Sequence, residues 1–323
     1  MEYRTLGASG IRLSRIGFGG WGIGGRTAGA TSYGETDDAE SRRALECAFE
    51  HGITFFDTAD VYGDGRSERL IGEVFEGRRD QVTIATKAGY LPGFVGVDHS
   101  PAALRRALEG SLTRLRTDYV DLFLLHEAQV STVADDPQIL TTLEAFRHEG
   151  KARAYGLSAK SPADALAFVD LPDVACLQVN LNLLDWGSVD CGLHERAQAS
   201  GVGIVARTVL GLGFLTGRIG RDTVFPPEDH RSLWSRKNIG HWVDAADEVH
   251  RALGGGDSVA ERTQTAVRFC LSFDAVTSAI PGMLTPEEVA VNAVAGDLPP
   301  FSPTQLGDVE RLYRRVEDRL ADG

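Results

Sequence analysis

Short apolar runs alternate with amphipathic stretches along almost the whole chain from residue 16 onward. Eight of the runs read as strands, over residues 16–19, 53–56, 82–86, 120–125, 152–157, 175–179, 203–206 and 277–280. Their near-continuous apolar character is that of strands covered on both faces, as in a parallel sheet. Between them apolar residues recur every three or four positions. This predicts helices, for example over 38–51, 101–115, 137–148, 189–200, 259–272 and 286–295. Strands alternating with helices, without a Pro/Gly/Ser-rich linker, predict an α/β protein: a (β/α)8 TIM barrel forming a single domain over residues 1–323.

Three pieces fall outside the repeat. Residues 3–6 and 11–15, joined by Gly7-Ala8-Ser9-Gly10, read as an N-terminal β-hairpin placed to plug the barrel floor. Residues 218–238, with Pro226, Pro227 and Trp234, are too long for an ordinary connection and read as a functional loop over the opposite face. Residues 304–320 predict an amphipathic C-terminal helix.

Length by itself fits one large barrel or two modest domains, so the repeat decides in favour of one. With 42% hydrophobic and 24% charged residues the chain is ordinary globular material, which excludes a disordered or fibrous protein. A net charge of −13 without any basic block argues against nucleic-acid and membrane-surface partners, and an anionic ligand needs its own local positive site. No apolar run approaches the roughly 18 residues of a membrane span and no leader pattern opens the chain, so a cytoplasmic protein is expected. Cys47, Cys176, Cys191 and Cys270 lie far apart in apolar patterns and are expected to be buried thiols, with no metal site.

In a parallel barrel, reactive groups project from the carboxyl ends of the strands. There the sequence places Asp57 after 53–56, Lys87 after 82–86 and His126 after 120–125, with Tyr62 five residues past Asp57. Singly each has an ordinary explanation: a helix cap, a solvated lysine, a structural histidine. Together they face one mouth. An ammonium beside a phenol favours phenolate, and a carboxylate keeps that ammonium charged and oriented, a set suited to giving a proton to a developing alkoxide. Only four lysines occur among the 33 basic residues, which narrows the relay lysine to Lys87. Gly17-Phe18-Gly19-Gly20-Trp21-Gly22 spells G-x-G-x-x-G after a strand, but the following residues 23–35 are Gly/Thr-rich and aperiodic instead of opening a helix, so a Rossmann site is not expected.

The segment Gly52-Ile53-Thr54-Phe55-Phe56-Asp57-Thr58-Ala59-Asp60-Val61-Tyr62-Gly63 closely resembles the signature of the aldo-keto reductases. The resemblance continues through Ala85-Thr86-Lys87, Leu124-Leu125-His126, Gly156-Leu157-Ser158, Gln178-Val179-Asn180, Gly213-Phe214-Leu215-Thr216-Gly217 and Ile280-Pro281-Gly282, in the family's order. It implies a nicotinamide-dependent reduction of an aldehyde or ketone, with Tyr62 as general acid. Lys87, partnered by Asp57, would lower the pKa of Tyr62, and His126 would orient or polarise the carbonyl. Trp21, Tyr62 and His126 would contact substrate. Gly20, Trp21, Asp57, Ser158, Gln178, Arg207, Leu215, Gly217, Gly282, Glu288 and Asn292 would contact cofactor.

Several positions depart from the family pattern. Ala159 stands where an asparagine commonly follows the serine, and Arg207 where many members stack a tyrosine on the nicotinamide. Leu284 stands where Arg, Lys or Ser often meets the 2′-phosphate, and Glu288 where glutamine is common. No Lys or Arg occurs over 277–300, so NADP(H) is the family expectation while NAD(H) stays open, with Glu288 suited to a ribose. Two other readings remain. A Schiff-base aldolase using Lys87 is disfavoured because Asp57 would keep the amine protonated, and a non-catalytic cofactor-binding regulatory subunit is a known variation in the family. Tyr90, His230 and Trp234 join Trp21 as candidate pocket walls, equally suited to sugars and aromatic aldehydes. Oligomeric state stays open.

Overall fold

The structure, a computed structural model, describes residues 1–27, 31–254 and 256–321. The hairpin pairs β1 (Tyr3–Thr5) antiparallel with β2 (Arg12–Ser14), Tyr3 opposite Ser14. Eight parallel strands follow in sequence order: β3 (Phe18–Gly19), β4 (Phe55–Asp57), β5 (Thr83–Ala88), β6 (Val120–His126), β7 (Ala152–Ser158), β8 (Val174–Asn180), β9 (Gly203–Arg207) and β10 (Val276–Ala279). The first and last of them meet. The Gly17 amide donates to the Ala279 carbonyl at 2.8 Å, that of Gly19 to Pro281 at 3.0 Å and that of Ala279 to Arg15 at 2.9 Å, so the sheet curls shut. All eight predicted strands are present, their ends displaced by no more than two residues.

Alternation along each strand sorts side chains into two cores. Phe55, Ala85, Leu122, Leu124, Ala154, Cys176, Val205 and Ile280 fill the barrel interior, closed from below by Leu6, Ile11 and Leu13 of the hairpin. Phe56, Ile84, Phe123, Leu125, Leu157, Leu177 and Ile204 point the other way, into the layer shared with the helices. The hairpin sits at the amino ends of the strands, where the Ala8 amide donates to Gly201 just ahead of β9 at 2.7 Å. The plug is therefore on the floor.

Gly156 belongs to the interior set of β7, and a Cβ built there would lie 2.0 Å from the Cys176 carbonyl oxygen on β8. Gly156→Ala must push two hydrogen-bonded strands apart. The expected cost is about 3 kcal/mol, the upper part of the range for overpacking, readable as a lower urea midpoint at unchanged slope.

The helices begin where their caps dictate. Asp37 accepts from the Glu40 amide at the start of Asp38–Glu50, Ser258 and Glu261 form a capping box on Val259–Leu271, and Thr285 caps Pro286–Ala295. Among the described residues, β3 leads into a short 3-10 turn at Gly22–Gly24 and no α-helix begins before Asp38, which removes the Rossmann reading of the glycine run. Residues 28–30 of that loop lie outside the described residues.

Three expectations need correction. The helix expected over 189–200 is two, Gly187–Asp190 and Leu193–Ser200, separated at Gly192 in the left-handed region (φ 75°). The loop expected over 218–238 ends sooner: Ser235 caps a helix Arg236–Ala252 whose Ile239 and Val243 pack on Phe214 and Ile219. Cys176 and Cys270 are buried thiols, but Cys47 and Cys191 are only half-buried, and all four are free. The C-terminal helix spans Pro303–Ala321. No described helix is long and apolar enough to cross a membrane, and no group of three or more His, Cys, Asp or Glu among the described residues could hold a metal ion.

Candidate active site

The interior alternation does not stop at the apolar layer. Two positions beyond Phe55, Ala85, Leu124, Cys176 and Val205 come Asp57, Lys87, His126, Gln178 and Arg207, all within the last turns of their strands rather than after them. The mouth of the barrel is thus a polar layer laid on an apolar one. Buried charge is tolerable there only if each group has a partner.

Lys87 is fully buried and Asp57 nearly so, 0% and 3% exposed along their side chains. The Lys87 ammonium donates to Asp57 Oδ2 at 2.6 Å, to the Thr58 carbonyl at 2.9 Å and to the Tyr62 hydroxyl oxygen at 3.1 Å, which uses all three of its protons. Gln178 Nε2 donates to the other oxygen of Asp57 at 2.6 Å, and Ser158 Oγ donates to Gln178 Oε1 at 3.1 Å. Gly20 closes this group from above: its amide donates to the Asp57 carbonyl at 2.8 Å, and a Cβ there would lie 2.7 Å from that oxygen.

The electrostatics follow from burial and pairing. Burial pulls the Lys87 pKa down, but the Asp57 carboxylate and the Tyr62 oxygen push it up by more, and the net result lies above the ordinary 10.5. An unprotonated amine for Schiff-base attack is correspondingly scarce. Burial raises the Tyr62 phenol above its ordinary 10, and the opposing pull of Lys87 only offsets part of that. Lys87 does pull the Tyr62 pKa down, as its place beside the phenol predicts, but desolvation outweighs the ammonium and the net value lies above 10, so the phenol keeps its proton. Burial, with Lys87 and Arg207 nearby, holds His126 well below its ordinary 6.5, so the imidazole is neutral. Its ring meets Tyr62 edge-on at 5.9 Å and Tyr90 at 5.0 Å, and its Nδ1 is buried without a partner.

A cavity of about 790 Å³ opens over this layer. Of the predicted residues, Trp21, Asp57, Tyr62, Gln178, Arg207, His230, Gly282, Glu288 and Asn292 line it. Lys87, His126 and Ser158 sit just behind the wall, reaching it through their contacts with Tyr62 and Gln178. Leu215 and Gly217 do not line it: Leu215 is core, and Gly217 (φ 74°) is covered by the Arg262 side chain. Trp21, Tyr33 and His230 form an aromatic cluster with ring centroids 4.7–5.2 Å apart, and a bridge from Ser32 to Asp229 ties the first mouth loop to the long loop. Trp234 backs His230 at 5.6 Å without lining the cavity, and Tyr90 packs on His126 from outside it.

The chain matches the model of the Aldo/keto reductase family over residues 15–314. It belongs to that family. It is 32% identical over 350 residues to L-glyceraldehyde 3-phosphate reductase of Escherichia coli (strain K12), covering 100% of this chain and 93% of the relative. Its fold superposes on the holo form of aldo-keto reductase AKR11C1 from Bacillus halodurans with a TM-score of 0.79 at 25% identity, covering 97% and 96% of the two chains. The glycerol dehydrogenase AKR11B4 from Gluconobacter oxydans gives 0.78 at 28% identity, covering 97% and 95%.

Within this aldo-keto reductase, sequence reasoning missed the cavity residues that arrive from elsewhere in the chain. Arg218, Arg231, Lys160, Glu127 and Tyr33 all line it. Arg218 pairs with Glu288 and so brings a cation to the stretch 277–300 that carries none of its own. Glu288 is committed on both oxygens, to Arg218 Nη1 and to the Leu284 amide at 2.9 Å. Arg231 is held by both oxygens of Asp229. No periodicity marks these residues, because Tyr33, Glu127, Lys160 and Arg218 lie in loops and Arg231 in a single 3-10 turn, whose paths are set by tertiary packing.

Proposed function

We propose that this chain is a nicotinamide-dependent oxidoreductase that reduces an aldehyde or ketone to an alcohol, with Tyr62 as the proton donor. The observation that carries the reading is the Lys87 ammonium, buried and bonded at once to Asp57 and to the Tyr62 hydroxyl in the wall of the cavity. The residues present fit a dinucleotide. The cavity runs continuously from Tyr62 to Asn292, and Arg207 Nε and Asn292 Oδ1 are buried without partners, a donor at one end and an acceptor at the other.

Gln178 and Arg207 would hold the nicotinamide end, Gly282, Arg218 and Asn292 the adenosine end; Gly20 and Ser158 act by fixing Asp57 and Gln178. When bound, the reduced nicotinamide supplies a hydride to the carbonyl carbon. The Tyr62 hydroxyl gives its proton to the carbonyl oxygen as charge develops there, and Lys87 stabilises the phenolate left behind. Neutral His126 donates a hydrogen bond to the same oxygen. Arg218 favours NADP(H), because Glu288, already committed to Arg218 and Leu284, is not free for a ribose hydroxyl. The relatives' names, a reductase of glyceraldehyde 3-phosphate and a dehydrogenase of glycerol, favour short hydroxylated carbonyl compounds as substrates.

The test is direct. NADPH and NADH are titrated against tryptophan fluorescence, and loss of nicotinamide absorbance is followed with glyceraldehyde, erythrose, benzaldehyde and keto-sugars. Tighter binding of NADPH and turnover of at least one carbonyl compound are expected. Tight binding with no turnover across the panel would move the assignment to a cofactor-binding regulatory subunit.

A further inference from the structure

Glu127 is the first residue past β6 and one position from His126, yet the proton relay does not use it. Its backbone is in the left-handed region (φ 53°), unusual for a residue with a long side chain, and is held there by its amide donating to the Ser158 carbonyl at 2.8 Å. That conformation turns the carboxylate into the cavity wall. Both oxygens are engaged. Tyr90 donates its hydroxyl proton to Oε2 at 2.5 Å, and Arg207 Nη2 approaches Oε1 at 3.4 Å while also donating to the Ala159 carbonyl at 2.8 Å. The two charged side chains are only 20% and 24% exposed, so water screens them weakly.

The proposed function places Arg207 at the nicotinamide ring, and this inference rests on that reading. The ring changes charge in the reaction: reduced it is neutral, oxidised it is a cation. A guanidinium against it is indifferent to the first and repels the second. We infer that Glu127 is a positioning residue that neutralises and holds Arg207, so that the site accepts the oxidised nicotinamide as well as the reduced one. A nearby aromatic ring at this place would need no such counter-charge. The arginine does, and the strained carboxylate next to His126 supplies it. Removing the carboxylate would leave an uncompensated cation on the cofactor side of the site, and it should weaken the oxidised form about tenfold relative to the reduced form.

The experiment measures binding. NADPH and NADP+, and NADH and NADH's oxidised form, are titrated into wild type and Glu127→Gln by quenching of tryptophan fluorescence, Trp21 lying in the cavity wall. The expected result is a ratio of oxidised to reduced Kd about tenfold higher in Glu127→Gln, restored toward wild type in Glu127→Asp and insensitive to Glu127→Gln in an Arg207→Met background. Equal weakening of both forms, or no change in the ratio, overturns the inference while leaving the reductase assignment intact. Failure of wild type to bind any of the four overturns the assignment and the inference with it. Should Glu127→Gln fail to fold, Arg207→Gln in the presence of Glu127 gives the converse reading: the oxidised form must gain relative to the reduced one, and an unchanged ratio overturns the inference.

Discussion

Tyr62→Phe is expected to lower kcat/KM for carbonyl reduction by about 10²–10⁴, the range contributed by a positioned general acid, while the Kd for the reduced nicotinamide stays within a few-fold of wild type. The substitution removes one oxygen from a wall that keeps its ring. Lys87 retains Asp57 and the Thr58 carbonyl as partners, so the fold is not asked to bury a bare charge. The pH profile adds a second check. Because burial raises the phenol above 10, reduction needs no group that loses its proton near neutrality, and His126, held well below 6.5, is already neutral there. Activity should therefore be flat from about pH 7 to 9 and fall only as the pH climbs toward the phenol's raised pKa, since the proton must be present to be given. Retained activity in Tyr62→Phe would remove the mechanism.

Lys87→Met is expected to cost both turnover and stability. It strips Asp57 of its ammonium and leaves a buried carboxylate supported by Gln178 at 2.6 Å and little else. Breaking a buried pair from one side costs about 3–5 kcal/mol, whereas removing both charges costs much less. The free energy of urea unfolding should therefore fall by about that amount in Lys87→Met, and the double variant Asp57→Asn/Lys87→Met should recover part of it. Two further points follow from the direction of the Lys87 shift. Its folded-state pKa is raised above 10.5, so the stability that the charge on Lys87 contributes is fully present below the unfolded value and is lost as pH rises through the raised one. The stability gap between wild type and Lys87→Met should accordingly be constant between about pH 7 and 9. A gap below about 1 kcal/mol would show that water reaches the pair and screens it.

The sequence by itself determined the barrel and placed Asp57, Lys87 and His126 at the carboxyl ends of its strands. Strands covered on both faces need continuous apolar runs, and eight of them alternating with amphipathic stretches admit few other architectures. A strict period of two then decides which residues face inward: the parity that buries Phe55, Ala85, Leu124 and Cys176 also carries Asp57, Lys87, His126 and Gln178 into the mouth. Those positions are local consequences of strand geometry; Asp57, Lys87 and His126 were legible as strand-end residues, and Gln178 only through the family resemblance.

Tertiary structure decided what depends on distance through space. The Tyr62 proton is one case, since the pull of Lys87 can be guessed from chemistry but the larger effect of burial is known only once the surroundings are packed. The cation near Glu288 is another, because Arg218 arrives from a loop 70 residues away along the chain. Glu127 is a third: next to His126 in sequence, it gains meaning only because a left-handed backbone aims it at Arg207, three strands further round the sheet. Periodicity fixes which face a side chain takes, whereas its charge state and its partners are set by neighbours that the chain brings together only by folding.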